Sequence, residues 1–425
     1  MGVVPCPLPC QLITNEADSD QSNSNHFHSD TSSNSSLYSQ PSLPSVPSLT
    51  PSSHHVEQPS NTYHHFLATL KGHTSYVFCL ALAGKHLYSG SSNSEIRVWN
   101  HESSSQDFRP INNYSVAEGS SAVKSVVISG NKLFTAHNDH RIRVWKIDND
   151  HITDNKRYKC IATLPTLNDR CMRVLFAKNY VQVRRHKKST WVHHVDTVSA
   201  LALSQDGYLL YSASWDRTFK IWKTSDFKCL ESVWNAHDDA INAIVVSNDG
   251  YIYTGSADRK IKVWKKLQQG NKQHSLVATL EKHKSAVNAL ALSTDGSVLY
   301  SGACDRSIVV WEKDGSSGHM IVAGALRGHT EAILCLSVVS ENLVCSGSAD
   351  KTVRIWRRGL GKRYSCLAVF EGHGGPVKCL IATKESNINH PIHKNNSSSS
   401  GNSYLVYSGS LDCDIKVWKI WIPFV

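Results

Sequence analysis

From about residue 66 onward, short apolar runs alternate with turn-forming clusters of Gly, Ser, Asn and Asp. Seven of these runs end in Trp. They are SGSSNSEIRVW (Trp99), TAHNDHRIRVW (Trp145), SASWDRTFKIW (Trp222), TGSADRKIKVW (Trp264), SGACDRSIVVW (Trp311), SGSADKTVRIW (Trp356) and SGSLDCDIKVW (Trp418). Short runs bounded by turn residues predict β-strands. The chain is therefore predicted to be all-β and built from one repeated unit.

Polar residues recur at fixed distances from each Trp. Six segments place Asp six residues before the Trp, and the first segment has Asn93 there. A hydroxyl residue lies four positions earlier in all seven segments. Six repeats also carry a His four residues before an apolar strand opener, and the second repeat has Gly119 at that place. Seven units in register indicate a closed repeat architecture.

These residues resemble the WD-repeat β-propeller family over about residues 66–425. The resemblance implies seven four-stranded blades around a central channel. It also implies a buried hydrogen-bonded tetrad of His, Ser or Thr, Asp and Trp in each blade. The tetrads are expected at His194, Ser212, Asp216, Trp222, His237, Thr254, Asp258, Trp264, His283, Ser301, Asp305, Trp311, His329, Ser346, Asp350, Trp356, His373, Ser408, Asp412 and Trp418. Blades 1 and 2, with Asn93 and Gly119 at tetrad positions, are expected to be held together by fewer tetrad hydrogen bonds.

By analogy with the family, the segment FLATL at residues 66–70 supplies the outer strand of the last blade and closes the ring. The domain prediction is a disordered tail at 1–62, rich in Ser, Asn, His and Pro, followed by a seven-bladed propeller at 63–425. Deletion of residues 1–60 is accordingly expected to leave thermal melting unchanged. Unequal Trp spacing marks two insertions, at 166–190 and at 384–402. The resemblance to the family implies that the first, which joins an outer strand to the next inner strand, lies on the top face. The Ser and Asn content of the second predicts a flexible loop.

Ser, His and Asp recur together, but a nucleophile triad would not occur seven times in one chain. The sequence shows no glycine-rich phosphate loop and no zinc-ligand spacing. We therefore expect no catalytic residue, no cofactor and no metal site, and a protein that is not an enzyme.

Composition excludes several classes of protein. Of 425 residues, 40% are hydrophobic, yet no stretch approaches the roughly 18–20 apolar residues of a membrane helix, so we expect no membrane insertion. The start lacks a basic segment before its apolar residues, which argues against a secretory signal. The scattered Cys residues, such as Cys79, Cys335 and Cys379, are predicted to be reduced core thiols. A location in the cytoplasm, the nucleus or both follows.

Charge is unevenly distributed. All 45 basic residues lie after position 70, against 30 acidic ones, so residues 71–425 carry a net charge of +15. This charge favours acidic or phosphorylated protein segments as partners, although it could also serve only solubility. Direct, specific nucleic-acid binding is not expected, because aromatic and basic residues do not interleave as in RNA-binding signatures. A monomeric propeller is expected.

The first insertion carries a basic cluster formed by Arg184, Arg185, Lys187 and Lys188. Two interpretations stay open: a solvated or nuclear-localisation-like loop, or a partner-binding site. The runs TLPTLNDR, NYVQVRRHKK and WVHHVDTVSAL are similar to those of plant WD-repeat proteins of the Jingubang type. That resemblance implies a non-enzymatic regulator that acts through transcription factors or signalling partners.

Three further residues are candidates for protein binding. Trp215, Arg217 and Tyr76 lie beside the tetrad turns that the family places on the top face. For Trp215, packing against the insertion is the alternative. The leading hypothesis is a protein-interaction scaffold that holds an acidic or phosphorylated segment there. The alternative is a substrate receptor of a cullin-based ubiquitin ligase, although no repeat Trp starts the Trp–Asp–x–Arg motif typical of such receptors.

Overall fold

The computed structural model describes residues 46–50, 62–100, 121–147, 158–174, 180–184, 187–266, 273–385 and 401–423. Strand β1 (Tyr63–Leu70) comes first in the chain. The other strands form seven sheets in sequence, with one insertion, and the sheets are numbered here as blades 1 to 7.

Blades 1 and 2 and the insertion that follows them have these bounds. Blade 1 contains β2 (Val77–Ala83), β3 (His86–Ser91) and β4 (Ile96–Asn100). Blade 2 contains β5 (Val123–Ser129), β6 (Lys132–His137), β7 (Ile142–Ile147) and β8 (Tyr158–Leu164). The insertion contains α1 (Leu167–Val174), β9 (Tyr180–Arg184) and β10 (Lys187–Thr190).

Blades 3 to 7 complete the ring. Blade 3 contains β11 (Val198–Leu203), β12 (Leu209–Ser214), β13 (Phe219–Lys223) and β14 (Cys229–Val233). Blade 4 contains β15 (Ile241–Val246), β16 (Ile252–Ser256), β17 (Lys260–Lys266) and β18 (His274–Glu281). Blade 5 contains β19 (Val287–Leu292), β20 (Val298–Ala303), β21 (Ile308–Lys313) and β22 (Met320–Leu326). Blade 6 contains β23 (Ile333–Ser340), β24 (Leu343–Ser348), β25 (Val353–Arg358), a short 3-10 helix (Leu360–Lys362) and β26 (Tyr364–Phe370). Blade 7 contains β27 (Val377–Lys384), β28 (Gly401–Ser410), β29 (Ile415–Pro423) and, as its outer strand, β1.

The strands are antiparallel within every blade, and the first strand of each blade lies at the centre of the ring. Each innermost strand contacts those of the two neighbouring blades, including β27 with β2, so the ring is closed. The apolar core lies between blades: one cluster joins Tyr88 and Ile96 of blade 1 to Leu133 and Trp145 of blade 2. The predicted seven-bladed propeller is confirmed.

Closure uses the strand that the sequence predicts. β1 pairs with β29 from Tyr63↔Trp421 to Leu70↔Ile415. Leu70 is buried, and the Phe66 ring lies 5.3 Å from that of Trp418. The first ordered strand of the propeller thus completes the sheet made by its last strands.

Residues 46–50 differ from the prediction of a tail disordered over 1–62. The backbone of Leu49 bonds to Ala325 of β22 and to Tyr364 of β26. The physical reason is the Leu49 side chain, which packs against the apolar cluster between blades 5 and 6. Residues 1–45 and 51–61 of the predicted tail, with Cys6 and Cys10, lie outside the described residues. So do residues 386–400 of the second insertion.

Candidate functional site

The tetrads of blades 3 to 7 are hydrogen-bonded chains. In each, His Nδ1 lies 2.7–3.0 Å from an Asp oxygen, His Nε2 lies 2.8 Å from the hydroxyl, and the Trp indole donates to that hydroxyl at 2.8–2.9 Å. Burial alone would raise the pKa of Asp258, but the His237 imidazole lowers it below its usual value. The carboxylates are therefore ionised and orient the His rings.

The hydroxyls of these tetrads are fully buried. Ser212, Thr254, Ser301, Ser346 and Ser408 each have no exposed surface. A Ser–His–Asp arrangement without access to substrate holds strands together instead of attacking a carbonyl carbon. The tetrads thus fix the top-face turns, because each Asp also accepts a backbone N–H from the residue after its His, as Asp350 does from Thr330.

Blade 2 replaces its missing His from another strand. His137, at the end of β6, places Nε2 2.7 Å from Thr135 Oγ1, while Trp145 donates to the same hydroxyl at 3.0 Å. The position equivalent to His137 is Ser91, Ser214, Ser256, Ser348 or Ser410 in five other blades. Gly119 lies outside the described residues. The sequence did carry a signal for this exchange: TAH stands where those other repeats have a Ser.

In blade 1, the His–Asp hydrogen bond of the tetrad is missing. The Glu95 carboxylate lies 3.4 Å from His73 Nδ1, which has no hydrogen-bond partner, whereas His73 Nε2 lies 2.7 Å from Ser89 Oγ. Asn93 turns instead to Thr74, donating to its hydroxyl at 2.9 Å. Burial first, and the Arg97 charge second, lower the pKa of His73 to about 4, so the ring is neutral at neutral pH.

The insertion before blade 3 reaches further than the sequence predicts. Asp169 of α1 is buried and accepts a hydrogen bond from the Cys229 amide at 3.0 Å. Cys229 begins β14, at the end of blade 3 opposite the tetrad turns. The insertion was predicted to be a top-face loop, but part of it packs along the side of blade 3. Directly after the insertion, Val192 and Trp191 pack into the apolar cluster between blades 2 and 3, which holds the end of the insertion there.

The predicted basic cluster lies on the hairpin of this insertion. Arg184 ends β9, Lys187 and Lys188 begin β10, and Lys187 pairs with Arg184 across the hairpin. Arg185 lies outside the described residues, and so do the side chains of Arg184, Lys187 and Lys188. The structure thus brings the cluster into one hairpin without testing its role.

Trp215, Arg217 and Tyr76 lie at the top of blades 3 and 1. Trp215 is half-buried, and its amide donates to Thr197 O at 3.0 Å. Arg217 is exposed and has a positive φ of 67°, while Tyr76 is 51% exposed. The ring of Trp215 faces a cation of blade 2: Lys124 Nζ lies 5.6 Å from its centre.

Lys124 and Phe78 complete this surface, and the sequence did not single them out. Each innermost strand has a β-bulge after its first residue, and Phe78 and Lys124 are the bulge residues of β2 and β5. Lys124 Nζ lies 3.9 Å from the centre of the Phe78 ring. A bulge re-aims the side chain that it carries. We call Phe78, Lys124, Trp215, Arg217 and Tyr76 the top-face surface.

Blades 4 to 6 differ sharply at the matching positions. Where blade 3 has Trp215, they carry small side chains, and their bulges carry polar or aliphatic ones. The first set is Ala257, Cys304 and Ala349, and the second is Asn242, Asn288 and Leu334. Asn242 and Asn288 each donate to a backbone carbonyl of the next blade, at 3.0 and 2.9 Å. Those Asn side chains join blades, whereas aromatic or cationic side chains occupy these positions at Phe78, Lys124 and Trp215 of blades 1 to 3 and at Lys378 of blade 7.

Two positively charged side chains lie next to the end of the insertion. Burial, then the charges of Arg170 and Lys220, lower the pKa of His193 to about 4. Lys220 is itself fully buried beneath the insertion and donates to Trp191 O at 2.7 Å. Lys220 thus joins the insertion to blade 3 and is not part of the exposed surface.

Within the described residues, no group of three or more His, Cys, Asp or Glu side chains could hold a metal ion. Across the same residues, no helix has the length and apolar character needed to cross a membrane. Cys79, Cys335 and Cys379 are buried and free, and burial raises the pKa of Cys79 and Cys335 to about 12, so these are inert thiols.

Comparison with known proteins gives matches along most of the ring. A family model described as "WD domain, G-beta repeat" matches residues 64–100, 185–223, 227–265, 274–312, 321–357 and 364–419, more than half of the chain. Blade 2 falls between the first two matches, in keeping with its altered tetrad. Its four strands nevertheless pair as in the other blades.

Three relatives illustrate the range of similar proteins. The 66 kDa stress protein of Physarum polycephalum is 28% identical over 297 residues, 68% of this chain and 47% of that protein. The ribosome biogenesis protein WDR12 homolog of Trichoplax adhaerens is 23% identical over 305 residues, 70% of this chain and 67% of that protein. Protein ROOT INITIATION DEFECTIVE 3 of Arabidopsis thaliana is 32% identical over 181 residues, 39% and 40% of the two chains.

The chain spans less than half the length of the first of these relatives. None of the three is a Jingubang-type protein, so that subfamily stays a prediction.

Proposed function

The chain belongs to the WD-repeat family of β-propellers, and from that premise we propose that it is a protein-interaction scaffold whose top-face surface binds an acidic or phosphorylated partner segment. Propellers of this family generally act as interaction scaffolds. The observation that carries the finer proposal is the position of Lys124 between the rings of Phe78 and Trp215, with Arg217 exposed two residues after Trp215.

The chemistry of this surface suits an anionic segment. Aromatic rings supply contact area at low entropic cost, and Trp, Tyr and Arg are the side chains most often found at binding hot spots. Arg217 presents a guanidinium that forms paired hydrogen bonds with a carboxylate or phosphate. A partner carboxylate would also remain attracted to Lys124, because the rings on either side limit its exposure to water.

The basic hairpin extends this proposal. Arg184, Arg185, Lys187 and Lys188 would attract the same segment as it approaches, and like charges paired across a hairpin are relieved by a bound anion. We further propose a regulatory role in plant cells, in the cytoplasm and nucleus, through transcription-factor or signalling partners. The Jingubang-like sequence runs of the insertion support this role.

The test is affinity purification with mass spectrometry from plant cells, with the wild type beside three variants. One variant reverses the hairpin charges (Arg184, Arg185, Lys187 and Lys188→Glu), and another combines Trp215→Ala with Arg217→Glu. The control is Arg306→Glu on blade 5. Arg306 follows its tetrad Asp and has a φ of 67°, as Arg217 does. The two charge reversals are therefore made at the same position of the repeat and in the same backbone conformation.

We expect both test variants to lose a shared set of interactors that the Arg306→Glu control keeps, with all variants melting like the wild type. Equal interactomes in all four proteins would overturn the top-face proposal. Loss only in the hairpin variant would place binding on the insertion alone. Recovery of a cullin and its adaptor with the wild type would favour the ubiquitin-ligase alternative.

A further inference from the structure

The groove between the outer strands of blades 5 and 6 holds a segment of the chain itself. Ala325 N donates to Pro47 O at 2.9 Å, and Leu49 N donates to Ala325 O at 2.9 Å. Leu49 O accepts from Tyr364 N, at the start of β26, at 3.1 Å. Ser48 forms a parallel bridge with Ala325. Pro47–Thr50 therefore adds a short strand to the edge of blade 5, a known mode of peptide recognition.

Side-chain contacts give this groove selectivity. Leu49 is partly buried and packs against the buried cluster that includes Trp356 and Tyr364. Ala323, Leu336 and Val338 pack against the same cluster. The Ser48 hydroxyl donates to Thr50 O at 3.1 Å, which turns the chain after Leu49. The bound segment is uncharged and extended, with one leucine anchored between blades.

Blade 5 is adapted to the segment at one residue. A Cβ on Gly324 would lie 2.4 Å from Leu49 Cγ and 2.9 Å from Pro47 O, closer than atoms can approach. The equivalent residue, which pairs just before the bulge of the third strand, is Ala68, Ala162, Ala278 or Ala368 in blades 7, 2, 4 and 6. Alanine thus fits the strand itself, and the glycine of blade 5 makes room for the segment.

We propose that the groove between β22 and β26 is a peptide-binding site for extended segments of Pro–x–Leu chemistry, occupied in cis by Pro47–Thr50 and open in trans to a partner segment of the same chemistry. It is separate from the top-face surface, since it lies on the outer rim of blades 5 and 6. The eleven residues between Thr50 and Thr62 tether the cis segment to β1. A tether of this length gives an effective concentration in the millimolar range, so a partner must compete with the cis segment.

Binding of a fluorescein-labelled peptide with the sequence of residues 44–52 tests the site on the full chain. Leu49→Ser should release the cis segment and raise peptide affinity at least about tenfold, the gain expected if the groove is free in fewer than about one wild-type molecule in ten. Adding Gly324→Ala should abolish that binding, because the methyl group fills the place of the leucine. Adding Ala278→Ser instead, at the same position of blade 4, should leave it unchanged.

A second readout does not depend on the peptide. In the otherwise unchanged chain, Gly324→Ala should speed hydrogen exchange at the Ala325 and Tyr364 amides and leave amides within β20 protected. The proposal is overturned if Leu49→Ser binds the peptide no better than the wild type, or if the Gly324→Ala double variant binds it equally well. Unchanged exchange at both amides in Gly324→Ala would likewise overturn it.

Discussion

At the scale of single residues, the His137 imidazole shows how a repeat can lose a tetrad member and keep the bond. Its Nε2 bonds to Thr135, and its Nδ1 lies 3.2 Å from Ser121 O, so both ring nitrogens have partners in a fully buried site. Asp139 is thereby released from the His and pairs with Arg143. Blade 2 therefore keeps the hydrogen bonds from Trp to hydroxyl and from hydroxyl to His, but its His comes from the end of β6.

The His137→Ala variant should lower the free energy of unfolding by about 1–3 kcal/mol, because it leaves buried hydrogen-bonding groups without partners. Differential scanning calorimetry measures the change. The control is His140→Asn in the adjoining turn, where φ is 66° and the side chain is exposed, so Asn should be tolerated within about 0.5 kcal/mol. Equal melting of His137→Ala and the control would show that the His bond contributes nothing.

The same residue gives a pH prediction. Burial, then the Arg143 charge, lower the pKa of His137 to about 4, against 6.5 for an ordinary His. Between pH 6.5 and 4 the unfolded chain therefore binds a proton that the folded chain does not, so stability falls as pH falls through this window. Replacement by Gln, which does not titrate, should flatten the loss of melting temperature between pH 7 and 5. Parallel curves for wild type and His137→Gln would contradict this.

At the scale of elements, segments outside the repeats are fixed by apolar anchors. Leu49 holds its segment in the rim groove, and Trp191 and Val192 hold the end of the insertion against blades 2 and 3. Composition predicted the tail, whereas the top-face position of the insertion was predicted from its place between an outer strand and the next inner strand. A single leucine that fits an apolar groove can order a segment whose average composition predicts disorder. The groove is formed by strands far apart in the sequence, so the residues around the leucine do not reveal it.

Truncations that begin at residue 46 and at residue 51 isolate this anchor, since they differ only by the segment that reaches the groove. The shorter chain loses three backbone hydrogen bonds and the packing of Leu49, and should melt about 2 °C lower or more. This revises the expectation that residues 1–60 are dispensable for stability. Leu49→Ser in the longer chain should reproduce the loss, and coincident melting curves for the two truncations would count against the anchor.

At the scale of the whole molecule, the repeat pattern predicts most of what is seen. Seven units in register, together with their resemblance to the WD-repeat family, were enough to predict seven blades and the closing strand at FLATL, because each repeat carries the same strand and turn signals. The top-face surface was predicted in part: Trp215, Arg217 and Tyr76 could be placed from the tetrad spacing. Phe78 and Lys124 were missed because a β-bulge, which the sequence does not reveal, sets their direction.

Closure through β1 makes the ring depend on both ends of the chain. A chain starting at residue 71 leaves blade 7 with three strands, and uncovers the edge of β29 and the apolar contacts of Leu70 and Phe66. Relative to a chain starting at residue 62, it should melt at least about 5 °C lower, and amides of β29 should be the first to exchange.

A peptide of residues 62–72 added in trans should restore much of the loss, because the exposed edge of β29 can form with it the same seven residue pairs that it forms with the tethered strand. A peptide in which Phe66 and Leu70 are replaced by Ser is the matched control and should not rescue. If the chains starting at residues 71 and 62 have the same melting temperature, the ring is held by blade packing alone and closure by β1 contributes no stability.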